Sequence, residues 1–431
     1  MLTLKQELEQ RGFLYQYSHE TVFDLYDKGG QTLYRGCDPT ADSLHLGHFV
    51  GFMHAVQWMK RGNKLILIVG GATGMIGDPG GKDSERNFLD EETLAHNVIS
   101  INRQVRAILN HLTDLTGVTF DFEVRNNADF YDGVSFLGFL RDVGKYITIN
   151  QMMNKETVKK RIEDPEKSIS YTEFSYMLLQ GYDYLRIYHE YNCKLQIAGS
   201  DQRGNIMTGL ELIKRKIEGE AYGVTCPLLT DSTGKKFGKS EGNALWLDPN
   251  KNSPFKIYQY FINTADEDLE RYFKLLTLAD FDTIANIVEK HAENPSDRLG
   301  QELLGHAVVT TVFGPDSARQ AQLITRTLFQ TPNPIEEITK RSKEDITALH
   351  EAIGNKQTAA PGERILEVVV LAGLAESNGQ AKELIKSKSI TLNDVLIDDI
   401  MYTLSESDFI GGSLALLRKG KKAWGSVWKG K

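Results

Sequence analysis

Lys64-Leu65-Ile66-Leu67-Ile68-Val69 contains five consecutive aliphatic residues. A strand with one wet face alternates polar and apolar side chains. A strand that is apolar at every position is buried on both faces, as in a parallel sheet covered by helices. The neighbouring sequence fits that setting. Thr32-Leu33-Tyr34-Arg35-Gly36 reads as a short strand. Residues 46–60 set Leu46, Phe49, Val50, Met53, Val56 and Met59 on one side, the period of a helix. Downstream come a helix over 91–112, a strand over 118–124, a long helix over 171–191, a strand over 194–198 and a helix from Asn205. This alternation predicts an α/β fold with a doubly wound parallel sheet. Its ligands should lie beyond the carboxyl ends of the strands.

Polar residues collect where those ends should be. His45-Leu46-Gly47-His48 puts two imidazoles at i and i+3, on one face at the start of a helix. Asp42 or Ser43 is the expected cap, and the first turn's free N–H groups suit an anion. Thr40 could add a hydroxyl. Metal ligation is the competing reading, but only Asp42 nearby could join the histidines. After the buried strand comes Gly70-Gly71-Ala72-Thr73-Gly74-Met75-Ile76-Gly77-Asp78-Pro79-Gly80-Gly81-Lys82. It fails the phosphate-loop template, because Ile76 replaces the first glycine and Asp83 the Ser/Thr. Its glycines let backbone approach a ligand. Asp78 could hold an ammonium group or merely form a turn before Pro79. Lys82 and Arg86 could reach phosphates or be solvated charge.

Tyr176, Gln180 and Asp183 stand at i, i+4 and i+7 on the long helix, as a solvated face or a pocket wall. Gln196, Asp201 and Gln202 follow at the next strand end. Lys236 and Lys239 flank Phe237-Gly238 on a glycine-punctuated loop. Two lysines there and two histidines earlier can bind the charge that builds as pyrophosphate leaves a triphosphate.

The chain has 431 residues, 41% of them hydrophobic, which is enough for two or three domains. No run of 18 apolar residues occurs, so no membrane span is expected. Cys37, Cys193 and Cys226 are widely spaced, which indicates neither a disulfide framework nor a zinc site. The expected location is the cytoplasm. The net charge of −8 argues against nucleic acid. Its distribution argues the other way: Arg418, Lys419, Lys421, Lys422, Lys429 and Lys431 follow the last acidic residue, Asp408. A basic tail can hold RNA phosphates locally, or it can simply be a solubilising end.

Residues 254 to about 329 are helical throughout, opening on Ser253-Pro254, a cap followed by proline at the first helical position. Thr331-Pro332-Asn333-Pro334 reads as a linker. Ser377-Asn378-Gly379-Gln380 is a capping-box pattern. It opens a short helix that leads into Ser389-Ile390-Thr391-Leu392-Asn393, a turn at Asn393-Asp394, and Val395-Leu396-Ile397. This unit resembles the small S-four-type RNA-binding module, or a generic α+β dimer module. Phe130, Phe136, Phe139, Leu137 and Leu140 cluster within residues 129–140, as either a core helix or an exposed patch that needs a partner.

Tyr34-Arg35-Gly36-Cys37-Asp38-Pro39-Thr40, the histidine motif, residues 70–79, 174–183 and 196–205, and the Lys236 loop together resemble the bacterial tyrosyl-tRNA synthetase family, of the class I aminoacyl-tRNA synthetases. The resemblance implies a Rossmann-like catalytic domain over 1–227 and a lysine loop and connector over 228–253. It further implies an α-helical domain over 254–330, a linker over 331–360 and the RNA-binding domain over 361–431. Tyr34 and Asp183 would bond the phenol of tyrosine. Asp78, Tyr176 and Gln180 would hold its ammonium, supported by Thr73 and Asn127, and Gln202 would place its carboxylate. Thr40 and His45 would meet the γ-phosphate of ATP. Lys236 and Lys239, with Lys82 and Arg86, would act on the pyrophosphate. His48 and Asp201 would reach the ribose, and Gly36, Asp38, Gly47, Gly199 and Phe237 would line the nucleotide. Mg2+ would accompany the triphosphate, with no metal site on the protein. The partners implied are tRNA(Tyr) and a second copy in a homodimer. Two features depart from the family pattern: Arg35 replaces a common Cys, and Arg203 a usual Trp. The rivals are a tryptophanyl-tRNA synthetase relative and an RNA-binding protein that kept the fold without catalysis.

Overall fold

Six strands form the central sheet: β1 (Gln16–Tyr17), β2 (Thr32–Cys37), β3 (Lys64–Val69), β4 (Phe122–Asn126), β5 (Leu195–Gly199) and β6 (Tyr222–Cys226). The computed structural model describes residues 2–78, 89–164, 168–234, 237–240, 243–353, 357–420 and 423–430. The sheet order is β1-β6-β5-β2-β3-β4, with β1 antiparallel to β6 and the other pairs parallel. Leu65 to Val69 of β3 are all buried, as a strand covered on both faces must be. From β2 the chain winds outward through β3 and β4. It then returns to the other side of β2 as β5 and β6. The order therefore reverses between β2 and β5, and the crevice beyond their carboxyl ends is where such a sheet takes its ligand.

Side chains alternate along β2. Tyr34 packs edge-on against Tyr184 of helix Tyr171–Tyr191, with centroids 4.9 Å apart. Arg35 meets Gly51 of helix Leu46–Met59 on the opposite face. Helix Tyr171–Tyr191 starts where the sequence requires, at a capping box between Ser170 and Glu173. Glu173 is also forked by Arg161 at 2.9 and 3.0 Å, and both residues are buried.

Some boundaries differ from expectation. The strand expected at 118–124 lies at Phe122–Asn126, because helix Glu91–Thr116 runs one turn further and stops at Gly117, whose φ is +69°. Neither Asp42 nor Ser43 caps helix Leu46–Met59. The cap is His45, whose Nδ1 accepts from the His48 amide at 3.2 Å. Ser43 is engaged elsewhere, donating to Leu44 and accepting from Gln104.

The described chain divides into two compact units, Met1–Asp248 with Ala265–Asp297, and Pro249–Thr264 with Arg298–Lys431. The stretch 265–297, expected within a helical domain, thus belongs with the sheet. Arg11 ties it there by donating to the carbonyls of Lys274, Thr277 and Ala279 at 3.2, 3.3 and 2.9 Å. In the second unit, helices Pro254–Ile262, Leu299–Phe313 and Pro315–Phe329 pack together, the first capped by Ser253 as expected. Residues 331–360, expected as a linker, hold helices Pro334–Thr339 and Lys343–Ile353. Their apolar anchors, Ile338, Ile346 and Leu349, are too few to give a periodic signal, yet all are buried. The C-terminal five-stranded sheet has its own core, including Val368, Val369, Ala381, Ile385, Leu417 and Val427. Asn393 and Asp394 both take positive φ, the requirement of a tight two-residue hairpin turn. Among the described residues no helix is long and apolar enough to cross a membrane.

Candidate active site

A cavity of about 600 Å³ opens at the β2–β5 switch. Tyr34, Thr73, Asp78, Tyr176, Gln180, Asp183 and Gln202 line it. So do Gly36, Asp38, Thr40, His45, Gly47, His48, Gly199, Asp201 and Phe237. Asn127 stands just behind the wall, fully buried. Lys82, Arg86 and Lys236 lie outside the described residues. Lys239 is described by its backbone, in the short strand Lys239–Ser240.

One side of the cavity is a closed polar network. Asn127 Nδ2 donates to Asp183 Oδ2 at 2.8 Å and to Thr73 Oγ1 at 3.0 Å. Thr73 Oγ1 donates to Asp38 Oδ1, and Tyr176 OH to Asp38 Oδ2, each at 2.8 Å. Asp38 therefore bridges Thr73 and Tyr176, two residues expected around an ammonium group, although the resemblance sets Asp38 with the nucleotide. Gln202 donates to Asp78. Asp183 also accepts from Tyr131 OH at 2.9 Å. Burial pushes the Asp183 carboxyl up to about 7, against the pull of its bonds to Asn127 and Tyr131. Tyr34 is buried and its hydroxyl has no partner. Burial, together with the charge of Asp183, raises that phenol well above its usual range. Buried polar groups are normally paired, so an unpaired hydroxyl on a cavity wall marks a place for a ligand's polar atom.

The other side is the start of helix Leu46–Met59. The His45 and His48 rings stack with centroids 3.7 Å apart and planes 13° from parallel. Burial, with His45 and Arg35 close by, holds the His48 imidazole well below its ordinary pKa. His48 is consequently a neutral donor and not a cation. Gly47 belongs to this first turn, in which the Leu46 amide donates to Leu245 O and the His48 amide to His45.

The lysine loop is tied to that helix through its backbone. Leu46 N–H donates to Leu245 O at 3.0 Å, and Leu245 N–H to Gly238 O at 2.9 Å. Gly238 has φ +77°, and a β-carbon there would stand 2.8 Å from Leu46 Cβ. Glycine is thus required on two counts. From the other side, Asp268 accepts from Ser232 N and Oγ at 3.0 and 2.9 Å, and from Arg271 at 2.7 Å. Arg271 also donates to Thr230 O. Phe237 packs edge-on against Tyr272, with centroids 4.9 Å apart. Sequence reasoning missed Asp268, Arg271 and Tyr131. Asp268 and Arg271 stand at i and i+3, but their contacts to Ser232 and Thr230, like that of Tyr131 to Asp183, span 36 to 52 residues of chain, which no spacing rule signals.

Among the described residues no group of three or more His, Cys, Asp or Glu side chains could hold a metal ion. Cys37, Cys193 and Cys226 are free thiols.

A doubly wound sheet whose switch-point cavity joins a helix-borne histidine pair to an anchored lysine loop defines a class I aminoacyl-tRNA synthetase. The model for class I tRNA synthetases (W and Y) matches residues 27–330, and that for the Tyrosine--tRNA ligase SYY-like C-terminal domain matches residues 345–427. Over 424 residues the chain is 41% identical to a tyrosine–tRNA ligase of Streptococcus suis, covering 98% of this chain and 99% of that one. A C-terminally truncated mitochondrial tyrosyl-tRNA synthetase of Aspergillus nidulans superposes with a TM-score of 0.69 at 29% identity, covering 76% of this chain and 95% of that one. A tryptophanyl-tRNA synthetase of Plasmodium falciparum superposes with a TM-score of 0.52 at 14% identity, covering 81% of this chain and 90% of that one, which shows a shared fold alone. The chain belongs to the tyrosine–tRNA ligase family.

Proposed function

We propose that this chain activates L-tyrosine with ATP and then transfers the tyrosyl group to the 3′ end of tRNA(Tyr). A carboxylate oxygen of tyrosine attacks the α-phosphorus, and the bond to the bridging oxygen breaks so that pyrophosphate leaves with the electron pair. A hydroxyl of the terminal ribose then attacks the tyrosyl carbonyl and expels AMP. The first step needs no protein acid or base. It needs fixed donors where negative charge builds.

The observation that carries this reading is the buried, unpartnered Tyr34 hydroxyl on the same cavity wall as the buried Asp183 carboxylate. A phenol between them accepts from Tyr34 and donates to Asp183. Phenylalanine would leave the Tyr34 hydroxyl unpaired and deny Asp183 the phenol's proton, at a cost that supplies selectivity. The carboxylates of Asp38 and Asp78, with Tyr176 and Gln180, receive the ammonium, with Thr73 and Asn127 behind them. Gln202 orients the reacting carboxylate. Thr40, His45 and the Gly47 turn receive the γ-phosphate, and Lys82, Arg86, Lys236 and Lys239 neutralise the pyrophosphate. His48 and Asp201 take the ribose, along the backbone of Gly36 and Gly199 and beside Phe237. Mg2+ enters with the triphosphate as part of the substrate.

The C-terminal sheet unit binds tRNA, which the basic side chains after Asp408 favour. A second copy pairs with the first over helix Phe136–Asp142. Phe136 is 65% and Leu137 76% exposed there, an apolar patch that a twofold contact would cover. The enzyme works in the cytoplasm, in keeping with three free cysteines. Charging of tRNA(Tyr) by purified protein tests the reading. Attachment of labelled tyrosine and not of tryptophan or phenylalanine is expected, and equal attachment of tryptophan would overturn it.

A further inference from the structure

Glu7 and Arg11 stand one turn apart on the first helix, Leu4–Arg11, and both are buried. Arg11 Nε donates to Glu7 Oε1 at 3.2 Å. Each residue also holds the far end of a different helix. Glu7 accepts from Lys60 Nζ at 2.8 Å and from Arg61 Nη2 at 3.1 Å, the two residues that follow helix Leu46–Met59. Arg11 donates through Nη1 to the carbonyls of Lys274 and Thr277, and through Nη2 to that of Ala279, at the carboxyl end of helix Leu269–Leu276. A cation placed there also meets the negative end of the helix dipole. The opposite ends of the same two helices face the lysine loop. Helix Leu46–Met59 begins at the histidine pair, and its Leu46 amide donates to Leu245 O. Helix Leu269–Leu276 begins beside Asp268, which accepts from Ser232, and carries Tyr272, which packs on Phe237. At 1.5 Å per residue the two helices are about 21 and about 12 Å long, short enough to carry a displacement from one end to the other. Neither Glu7 nor Arg11 lines the cavity.

We infer that Glu7 and Arg11 form a staple that sets the spacing of these two helices, and through them the placement of the histidine pair against the lysine loop during adenylate formation. They are positioning residues. They touch no substrate, and they act on the rate of the ATP step and not on tyrosine binding. The inference rests on the reading of the chain as an ATP-dependent, tyrosine-activating enzyme.

The test uses the full chain and tyrosine-dependent exchange of pyrophosphate into ATP, with active molecules counted by calorimetric binding of tyrosine. Exchange by the wild type establishes the underlying reading independently. Arg11→Lys keeps the charge beside Glu7 but lacks the fork that reaches three carbonyls at once. It should fold and lower kcat for exchange about tenfold, within the roughly hundredfold that a 1 Å misplacement costs, while Kd for tyrosine stays unchanged. Glu7→Gln, which loosens Lys60 and Arg61, should lower kcat in the same way. Arg11→Met removes every bond and should be slower than Arg11→Lys; if it fails to fold, Arg11→Lys and Glu7→Gln still decide the matter. Arg11 and Asp268 hold opposite ends of one helix, so Arg11→Lys combined with Asp268→Asn should be less harmful than the product of the two single effects. A merely structural pair would lower the urea midpoint and leave kcat per tyrosine-binding molecule unchanged, which would overturn the inference. Equal loss of tyrosine affinity and rate, or single effects that multiply in the double variant, would overturn it too.

Discussion

Replacing Asp183 by Asn should stabilise the free enzyme at alkaline pH while weakening tyrosine binding. Asp183 is 3% exposed, and burial lifts its carboxyl from the ordinary 3.8 to about 7. The folded state therefore keeps a proton on Asp183 up to about pH 7, whereas the unfolded chain releases it near pH 4. Between those values the folded state binds one proton more. The associated stability is complete below about pH 4 and is lost as pH rises to about 7, at 1.36 kcal/mol per pH unit. Between pH 5 and pH 8 the wild type should lose about 3 kcal/mol that Asp183→Asn keeps. The amide preserves the local bonds: its oxygen can accept from Asn127, and its nitrogen can donate to Tyr131. Urea unfolding at the two pH values reads the effect. The transition that added tyrosine shifts is the one that reports on the sheet unit. Tyrosine affinity of the wild type should rise between pH 5.5 and 7.5 as the carboxylate forms. In the variant it should be at least tenfold weaker and flat with pH. Equal pH dependence of stability in the two proteins, or undiminished tyrosine binding by the variant, would refute the reasoning.

Asp268→Asn weakens the anchor of the lysine loop, so pyrophosphate exchange should fall about tenfold while the Kd for tyrosine, measured calorimetrically, stays the same. Leu137→Glu should give monomers in sedimentation with impaired charging. Phe139 is a poor choice for that experiment, because it packs inward against Tyr182 at 5.7 Å. Truncation after Ile353, which removes the C-terminal sheet, should preserve tyrosine activation and abolish tRNA charging. Charging by the full chain should weaken steeply with added salt, as released counterions require.

Local and periodic signals made much of this legible in the sequence. The aliphatic run of β3 and the apolar stripe of helix Leu46–Met59 specify a doubly buried strand and its cover. The long helix expected over 171–191 begins and ends at those residues, and the structure adds the capping box of Ser170 and Glu173 at its start. The Tyr176, Gln180 and Asp183 stripe had two readings by periodicity, a solvated face or a pocket wall. Burial of Tyr176 and Asp183 supports the second, since a helix shows which side faces in only once its neighbours are present. The His45 cap was not legible, because imidazole is not a usual cap and two better candidates preceded it. Asp268 and Tyr131 were hidden for a different reason. Their partners, Ser232 and Asp183, lie 36 and 52 residues away along the chain. The departure of Arg35 from the family pattern was visible, but its contact with Gly51 emerges only once β2 and the helix are placed together.

Tyrosine-dependent exchange of pyrophosphate into ATP, measured on purified full-length protein with no tRNA present, tests the central claim most directly. Exchange that requires tyrosine, fails with phenylalanine or tryptophan, and loses its preference for tyrosine over phenylalanine in Tyr34→Phe is the expected result. Exchange that tryptophan supports equally, or no exchange with any amino acid, would contradict it.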